Sequence, residues 1–155
     1  MSKKQAKVPV LEVKTSQLPF ANRGLFTKTA IPEDAIIVEY TGRMSSWADC
    51  NQMGGDNNYL YYIDEDHVID ASSEEESLGR YANDAHGLKR VRGLLNNARF
   101  QQEDDFRVYI VATRAIRPGE EIFVSYGKEY WDVIRSNMAI DEAAEKAKKT
   151  KKAKK

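Results

Sequence analysis

Three positions in this sequence have chemistry suited to a polar or positively charged ligand. Asn83 carries both a hydrogen-bond donor and an acceptor, which suits fixing the polar end of a ligand. Tyr126 combines a hydroxyl dipole with an aromatic face, and both attract positive charge. At Gly24 the backbone has no Cβ and can approach a ligand closely. Each residue could instead have an ordinary structural role, in a turn or in packing. The surrounding sequence pattern has to decide between a structural and a ligand-binding role.

The elements that must position these residues are predicted to be short strands separated by turns. The predicted strands are residues 8–13, 36–40, 59–63, 67–70, 97–100, 106–113 and 122–125. Acidic turns at 64–66 and 101–105 predict two hairpins, and a glycine turn is predicted within 21–27. Residues 45–53 predict one helix, in which Ser46 and Asp49 form a weak capping box. Exposed loops are expected at 74–76 and 87–93.

The composition predicts one soluble, intracellular folded unit. With 155 residues, 41% of them hydrophobic, the chain has enough for one ordinary core. No apolar run approaches the roughly 20 residues that cross a bilayer, and no signal-peptide stretch follows residues 1–7. Cys50 is the only cysteine, which excludes an internal disulfide and a cysteine-rich zinc cluster within this chain. No metal site is predicted.

The net charge of zero hides an uneven distribution. Seven of the 24 basic residues are lysines in positions 146–155, which leaves 17 basic against 24 acidic residues in the body, a net charge of −7. An acidic body favours basic polypeptide partners, although solubility alone would explain it about equally well. From residue 139 the chain is rich in alanine, glutamate and lysine without an apolar stripe, which predicts a flexible Lys-rich tail over 139–155.

Four separated segments, taken together, resemble the SET-domain lysine methyltransferases. They are Asn22-Arg23-Gly24-Leu25-Phe26, Glu39-Tyr40-Thr41-Gly42, Arg80-Tyr81-Ala82-Asn83, and Arg117-Pro118-Gly119-Glu120-Glu121 leading to Ser125-Tyr126-Gly127. Their order and approximate spacing match the family, and the resemblance covers roughly residues 9–127. It implies a mainly β fold, α+β with little helix: the SET-domain β-clip of several small sheets with a C-terminal pseudoknot. The catalytic domain is expected over 8–135.

The resemblance implies S-adenosylmethionine-dependent methylation of a lysine side chain in a protein, with a histone tail as the favoured substrate. Tyr126 and Tyr59 would be catalytic, and the substrate channel would comprise Tyr59, Tyr61, Val124 and Tyr126. The implied cofactor-binding residues are Arg23, Gly24, Leu25, Phe26, Arg80, Tyr81, Asn83, Asp84, Tyr126 and Trp131. The small side chain of Val124, where relatives often carry an aromatic residue, predicts di- or trimethylation. His67 and His86 are interpreted as a hairpin and a loop residue without a catalytic role.

The sequence departs from the family where Asp84-Ala85-His86 replaces the usual His-Ser-Cys, which bears on cofactor affinity. An alternative interpretation is therefore an inactive SET-like module that binds peptide or cofactor. A third interpretation is that the lysines of 146–155 contact nucleic acid. They could equally form a nuclear localisation signal or be methylated by the protein itself. No membrane association is expected and the oligomeric state is left open. The compartment would be nuclear for a eukaryotic or eukaryotic-viral source and cytoplasmic otherwise.

Overall fold

The computed structural model describes residues 8–52, 59–72, 77–87 and 90–153. The chain forms nine short strands, one 3-10 helix and two α-helices within these ranges. In chain order they are β1 Leu11–Thr15, β2 Arg23–Thr27, β3 Ile36–Glu39, β4 Arg43–Ser45, α1 Trp47–Gln52, β5 Leu60–Asp64, β6 His67–Asp70, the 3-10 helix Leu78–Tyr81, β7 Ala98–Gln102, β8 Val108–Ala112, β9 Glu121–Ile122 and α2 Lys128–Ala153.

The strands form three antiparallel sheets of three strands each. Their strand orders are β1-β2-β9, β3-β8-β7 and β4-β6-β5. Both predicted hairpins are present, as β5 with β6 and as β7 with β8. The largest core cluster is aliphatic and joins the first two sheets, with Leu25, Ile31, Ile110, Ile116 and Ile122 all at most 1% exposed. The predicted fold class, mainly β with little helix in the body, is confirmed.

The region predicted as a glycine turn is a strand. Gly24 lies inside β2, where it pairs with Lys14 of β1. The turn comes two residues earlier, at Asn22, whose φ of 64° lies in the left-handed region that asparagine tolerates better than most residues. Strand β1 also begins later than predicted, at Leu11 rather than at residue 8.

The helix α2 continues through residue 139, where the sequence predicts the start of a flexible tail. Alanine, glutamate and lysine all favour helix, so this composition supports a helical backbone without a buried face. Flexibility of residues 139–155 stays a prediction. Within the described residues, no helix is both long and apolar enough to cross a membrane. The predicted loop at 74–76, the end of the predicted helix at 53 and part of the loop at 87–93 lie outside the described residues.

Candidate active site

A cavity of about 460 Å³ lies where the residues before β2, the 3-10 helix and the chain after β9 come together. It collects residues that are far apart in sequence, and most of them are polar or aromatic. The lining residues are Leu18, Phe20, Ala21, Asn22, Arg23, Tyr59, Arg80, Tyr81, Asn83, Asp84, Tyr126 and Trp131.

The chain after β9 reaches this cavity by passing between two other segments. Phe123 and Val124 form parallel bridges with Asn83 on one side and Ala98 on the other. The amide of Val124 donates to the carbonyl of Asn83 at 2.8 Å, and the carbonyl of Phe123 accepts from the amide of Ala98 at 3.0 Å. Because both neighbouring segments hold this strand-like stretch, Tyr126, two residues further along the chain, reaches the cavity that Asn83 also lines.

The side chain of Asn83 joins the 3-10 helix region to the start of β2. Its Nδ2 donates to the carbonyl of Arg23 at 2.8 Å, across 60 positions of sequence. Arg23 follows the left-handed residue Asn22, so its carbonyl is aimed by a turn that asparagine favours. One cavity wall is thus fixed by a side-chain amide that bonds to main chain, as the donor and acceptor chemistry of asparagine allows.

Tyr126 is held at both ends. Its hydroxyl donates to the carbonyl of Ala82, and its main-chain amide donates to Oδ2 of Asp84 at 2.9 Å. Its ring stacks on that of Trp131, with centroids 5.8 Å apart and planes 15° from parallel. The phenol is therefore fixed in position and orientation rather than free to rotate.

Comparison with known proteins now decides the family. The SET domain family model matches residues 22–127, more than half of the chain, and this range includes the threaded segment and the asparagine that it meets. The chain belongs to the SET domain family. A solved structure described as ctPRC2 in an autoinhibited conformation bound to S-adenosylmethionine is similar, with a TM-score of 0.62 at 24% identity. That similarity covers 78% of this chain but only 15% of that one, and at this identity it shows the fold alone.

The SET-domain resemblance predicted from four sequence segments is thereby confirmed, and so is the small-sheet fold. Of the residues predicted for the cofactor site, Arg23, Arg80, Tyr81, Asn83, Asp84, Tyr126 and Trp131 all line the one cavity. Tyr59, predicted to be catalytic, lines it as well. The roles of these residues stay predictions, but their common location is a property of the structure.

Gly24, Leu25 and Phe26, also predicted to bind cofactor, do not line the cavity. Leu25 and Phe26 are buried in the middle of a sheet, where β2 is paired on both sides by β1 and β9. Gly24 is needed for a different close approach: a Cβ there would overlap Oε2 of Glu121. The space left by the missing Cβ is thus taken by a buried carboxylate of the same chain. Cofactor binding by the main chain of residues 24–26 stays a prediction.

Tyr61 and Val124, predicted for the substrate channel, lie outside the cavity too. Tyr61 packs in an aromatic cluster with Tyr40 and Phe100, with ring centroids 6.2 and 5.0 Å away. Burial raises the pKa of the Tyr61 phenol above its ordinary value. Val124 is 0% exposed and belongs to the aliphatic core cluster, so its side chain packs in the core and does not line the cavity. Any effect of Val124 on the number of methyl groups stays a prediction.

Arg80 organises the wall that carries Tyr59. Its guanidinium lies 4.2 Å from the ring centroid of Tyr59 and 5.2 Å from that of Tyr81, close enough to both rings for a cation–π interaction. Its Nη1 donates to the carbonyl of Ala71 at 3.0 Å and to that of Ser72 at 3.1 Å. Its buried Nε has no acceptor among the described residues. Buried donors are normally paired, so this atom marks a polar position that the described protein leaves unsatisfied.

Sequence reasoning missed two buried residues that build the site. Asn97, 1% exposed, donates from Nδ2 to the carbonyl of Glu121 and accepts from the amide of Phe123, both at 2.9 Å. The carboxylate of Glu121 accepts from the hydroxyl of Ser16 at 2.7 Å and from the amide of Gln17 at 2.8 Å. Asn97 therefore guides the threaded segment, and Glu121 fixes the chain that leads to the lining residues 18–23. In the sequence, Glu121 stood in a family segment without an assigned role, and Asn97 was recognisable only as a polar residue beside an apolar strand.

Neither histidine lies at the cavity. His67 contacts Asp64 at 2.8 Å in the β5–β6 hairpin and stacks on Phe106. The Nε2 of His86 accepts a long bond of 3.4 Å from the amide of Asn96. Within the described ranges, no group of three or more histidine, cysteine, aspartate or glutamate side chains is arranged to hold a metal ion.

Proposed function

We propose that this SET domain transfers a methyl group from S-adenosylmethionine to a lysine side chain of a protein, with a basic histone tail as the favoured substrate. The observation that carries the proposal is the convergence of Asn83, Tyr59, Tyr126 and Trp131 on one cavity. Family membership supports the reaction class, and the similar solved structure was described with that cofactor bound.

The cavity fits such a cofactor in size and chemistry. Its volume of about 460 Å³ lies within the roughly 300–1,000 Å³ of small-molecule sites. The stacked pair of Tyr126 and Trp131 offers an aromatic surface for a heteroaromatic ring. The unpaired Nε of Arg80 and the polar groups of Arg23 and Asn83 suit the charged end of an amino acid. When bound, S-adenosylmethionine supplies a methyl group on a positively charged sulfur.

Tyr126 is suited to stabilise positive charge near the transferred methyl group. Its hydroxyl donates its proton to the carbonyl of Ala82, which fixes the direction of the phenolic O–H dipole at the cavity. A fixed dipole of this kind is effective because it needs no reorganisation during the reaction. Holding donor and acceptor in line supplies the rest of the rate enhancement.

Deprotonation of the lysine needs no dedicated base in this proposal. A free lysine has a pKa of about 10.4, and an aromatic, poorly hydrated passage disfavours the ammonium form. Asp84 is the one carboxylate in the lining, and four hydrogen bonds already occupy its two oxygens. Its oxygens are thus engaged in holding other parts of the chain, and water that reaches the amine is sufficient to take the proton.

The charge of the body supports a basic substrate. Residues before 146 carry a net charge of −7, which attracts lysine-rich and arginine-rich peptides over long range. This attraction is screened by salt, so the KM for a basic peptide should rise with ionic strength while that for a neutral peptide should not.

A methyl-transfer assay with radiolabelled S-adenosylmethionine tests the proposal on a panel of histone and non-histone proteins. Tyr126→Phe should lower kcat by about 100-fold or more, as loss of one preorganised dipole does in other enzymes. Tyr109→Phe, a tyrosine of β8 that lies outside the cavity, is the matched control and should transfer methyl at the normal rate.

Calorimetry with the same cofactor separates an enzyme from a binding module. Heat of binding without any labelled product, over the whole panel, would contradict methyl transfer and leave an inactive cofactor-binding domain. Equal rates for wild type and Tyr126→Phe would contradict the role given to Tyr126.

A further inference from the structure

We infer that Asp84 is a positioning residue of this site: its carboxylate holds the main chain of Tyr126 and the indole of Trp131 together at the cavity wall. The residue stands where the sequence departs from the family pattern, a departure expected to bear on cofactor affinity. Its contacts indicate that it joins the segment that carries Asn83 to the chain after β9.

The carboxylate of Asp84 is buried and saturated with hydrogen bonds. It is 5% exposed. Oδ1 accepts from the amide of His86 and from Nδ2 of Asn96, both at 2.8 Å. Oδ2 accepts from the amide of Tyr126 at 2.9 Å and from Nε1 of Trp131 at 2.7 Å. A carboxylate offers about four lone-pair positions, so every one has a donor.

The two oxygens face different parts of the chain. Oδ1 is fixed by the segment that carries Asp84 itself and by Asn96, whose own Oδ1 accepts from the amide of Ala85 at 2.8 Å. Oδ2 is then presented to Tyr126 and Trp131, which lie 42 and 47 positions away. One side of the carboxylate is an anchor, and the other side holds the two aromatic residues.

Neither histidine, the usual family residue at this position, nor asparagine can accept the same four bonds. A neutral histidine has one acceptor nitrogen, and an asparagine has one acceptor oxygen and a donating amide. With asparagine at this position, at least two of the four N–H donors would lose their acceptor. We expect the bonds to Oδ2 to be the ones that are lost. Their donors, Tyr126 and Trp131, lie 42 and 47 positions away, whereas the donors to Oδ1 lie only 2 and 12 positions away.

Trp131 is positioned by two further contacts. Its six-membered ring lies against Gly87, where a Cβ would overlap the indole, and its plane is nearly parallel to that of Tyr126. The hydrogen bond to Asp84 fixes the remaining freedom of the ring along this surface. We therefore expect Asp84 to control how firmly Trp131 and Tyr126 form the wall that a cofactor ring would meet.

The first measurement needs no cofactor. The chain has two tryptophans, so Trp47→Phe leaves Trp131 as the sole fluorescent indole. In that background, Asp84→Asn should shift the emission to longer wavelength and raise the acrylamide quenching constant about twofold, because the indole loses its acceptor and gains access to solvent. Asp104→Asn is the matched control, since Asp104 is exposed and far from the cavity lining, and it should change neither value.

The second measurement rests on the proposed function. Asp84→Asn should raise the dissociation constant for S-adenosylmethionine roughly tenfold or more, as expected for losing charge-assisted hydrogen bonds at the wall. Trp131→Phe removes the indole donor and part of the ring surface but leaves the bond from the amide of Tyr126 to Asp84, so it should weaken binding by less and remain folded if Asp84→Asn does not. In turnover, both variants should raise the KM for the cofactor and leave that for the peptide unchanged, which a general loss of stability would not do.

The outcomes separate the two proposals. If wild type binds no S-adenosylmethionine, the proposed function fails, and quenching of Trp131 still decides the role of Asp84. If Asp84→Asn leaves both quenching and cofactor affinity at the control values, the inference about Asp84 is overturned.

Discussion

The carboxylates around the cavity and those on the outer surface are used in opposite ways. Asp84 and Glu121 are 5% and 2% exposed, and their hydrogen-bond donors are neutral amide, hydroxyl and indole groups. On the outer surface, Glu39 pairs with Arg107 at 2.7 Å and Glu120 pairs with Arg114 at 3.3 Å. The first group joins distant segments of chain, whereas the second forms ion pairs in contact with water.

The difference follows from the cost of moving a charge out of water. A buried carboxylate is tolerated only when hydrogen bonds replace its hydration, so each donor that it holds is fixed in place. An exposed ion pair gains little, because water already solvates both partners and salt screens them. Breaking the inner contacts should therefore alter the site, while breaking the outer ones should leave it unchanged.

Among single substitutions that disturb the buried carboxylates Asp84 and Glu121, Gly24→Ala should lower the stability of the fold most. A Cβ at this position would overlap Oε2 of Glu121 and approach Cβ of Ser16 to 3.2 Å. The carboxylate would have to leave its donors, at a cost of about 2–4 kcal/mol in the free energy of unfolding. Urea denaturation followed by circular dichroism measures this loss.

Gly79→Ala is the matched control for that experiment. The nearest atoms to a Cβ at Gly79 lie at 3.4 Å, which is ordinary contact, so the free energy of unfolding should change by no more than about 1 kcal/mol. A Gly24→Ala protein as stable as this control would show that Glu121 is not held as described.

Glu39→Gln should have a much smaller effect, although it removes a short ion pair with Arg107. The Arg107 side chain is 57% exposed, so water replaces the lost contact. The urea midpoint at physiological salt should stay within the error of measurement. A loss as large as that of Gly24→Ala would remove the distinction between inner and outer carboxylates.

The smallest expected effect is the contribution of Asp64 to stability, which should depend on pH. The hydrogen bond with His67 holds the pKa of Asp64 below its ordinary value of 3.8. A carboxylate with a lowered pKa stabilises the fold above its ordinary pKa and loses that contribution as pH falls through the lowered value. As the pH drops below 3.8, the melting temperature of wild type should therefore fall slightly more than that of Asp64→Asn. The difference should be seen only at low salt, because salt screens charges on the surface. Identical acid profiles for the two proteins would contradict it.

The local parts of the fold could be predicted from the sequence. The β-branched run of β3 and the hairpins around two acidic turns follow from alternation and turn chemistry over a few residues. Helix α1 follows from its capping residue, since the hydroxyl of Ser46 accepts from the amide of Asp49 at 3.2 Å. Three of the four family segments supply six of the twelve lining residues, and these could be identified because each motif is short and contiguous.

Contacts between distant segments could not be predicted in the same way. Ser16 and Glu121 are 105 positions apart, and nothing local indicates that Gly24 leaves room for that carboxylate. Val124 was expected in the channel because a position in a motif does not reveal that its side chain packs in the core. The Asp84 carboxylate could be interpreted only after its four donors were known.

A titration of isotopically labelled protein with S-adenosylmethionine, followed by nuclear magnetic resonance, tests the central claim most directly. The two tryptophans give two indole N–H signals. We predict that the signal of Trp131 moves together with the amides of Arg23, Asn83 and Tyr126, while that of Trp47, on α1, stays in place. Shifts absent from these residues, or centred on Trp47, would contradict a cofactor site built by threading the chain after β9 beside Asn83.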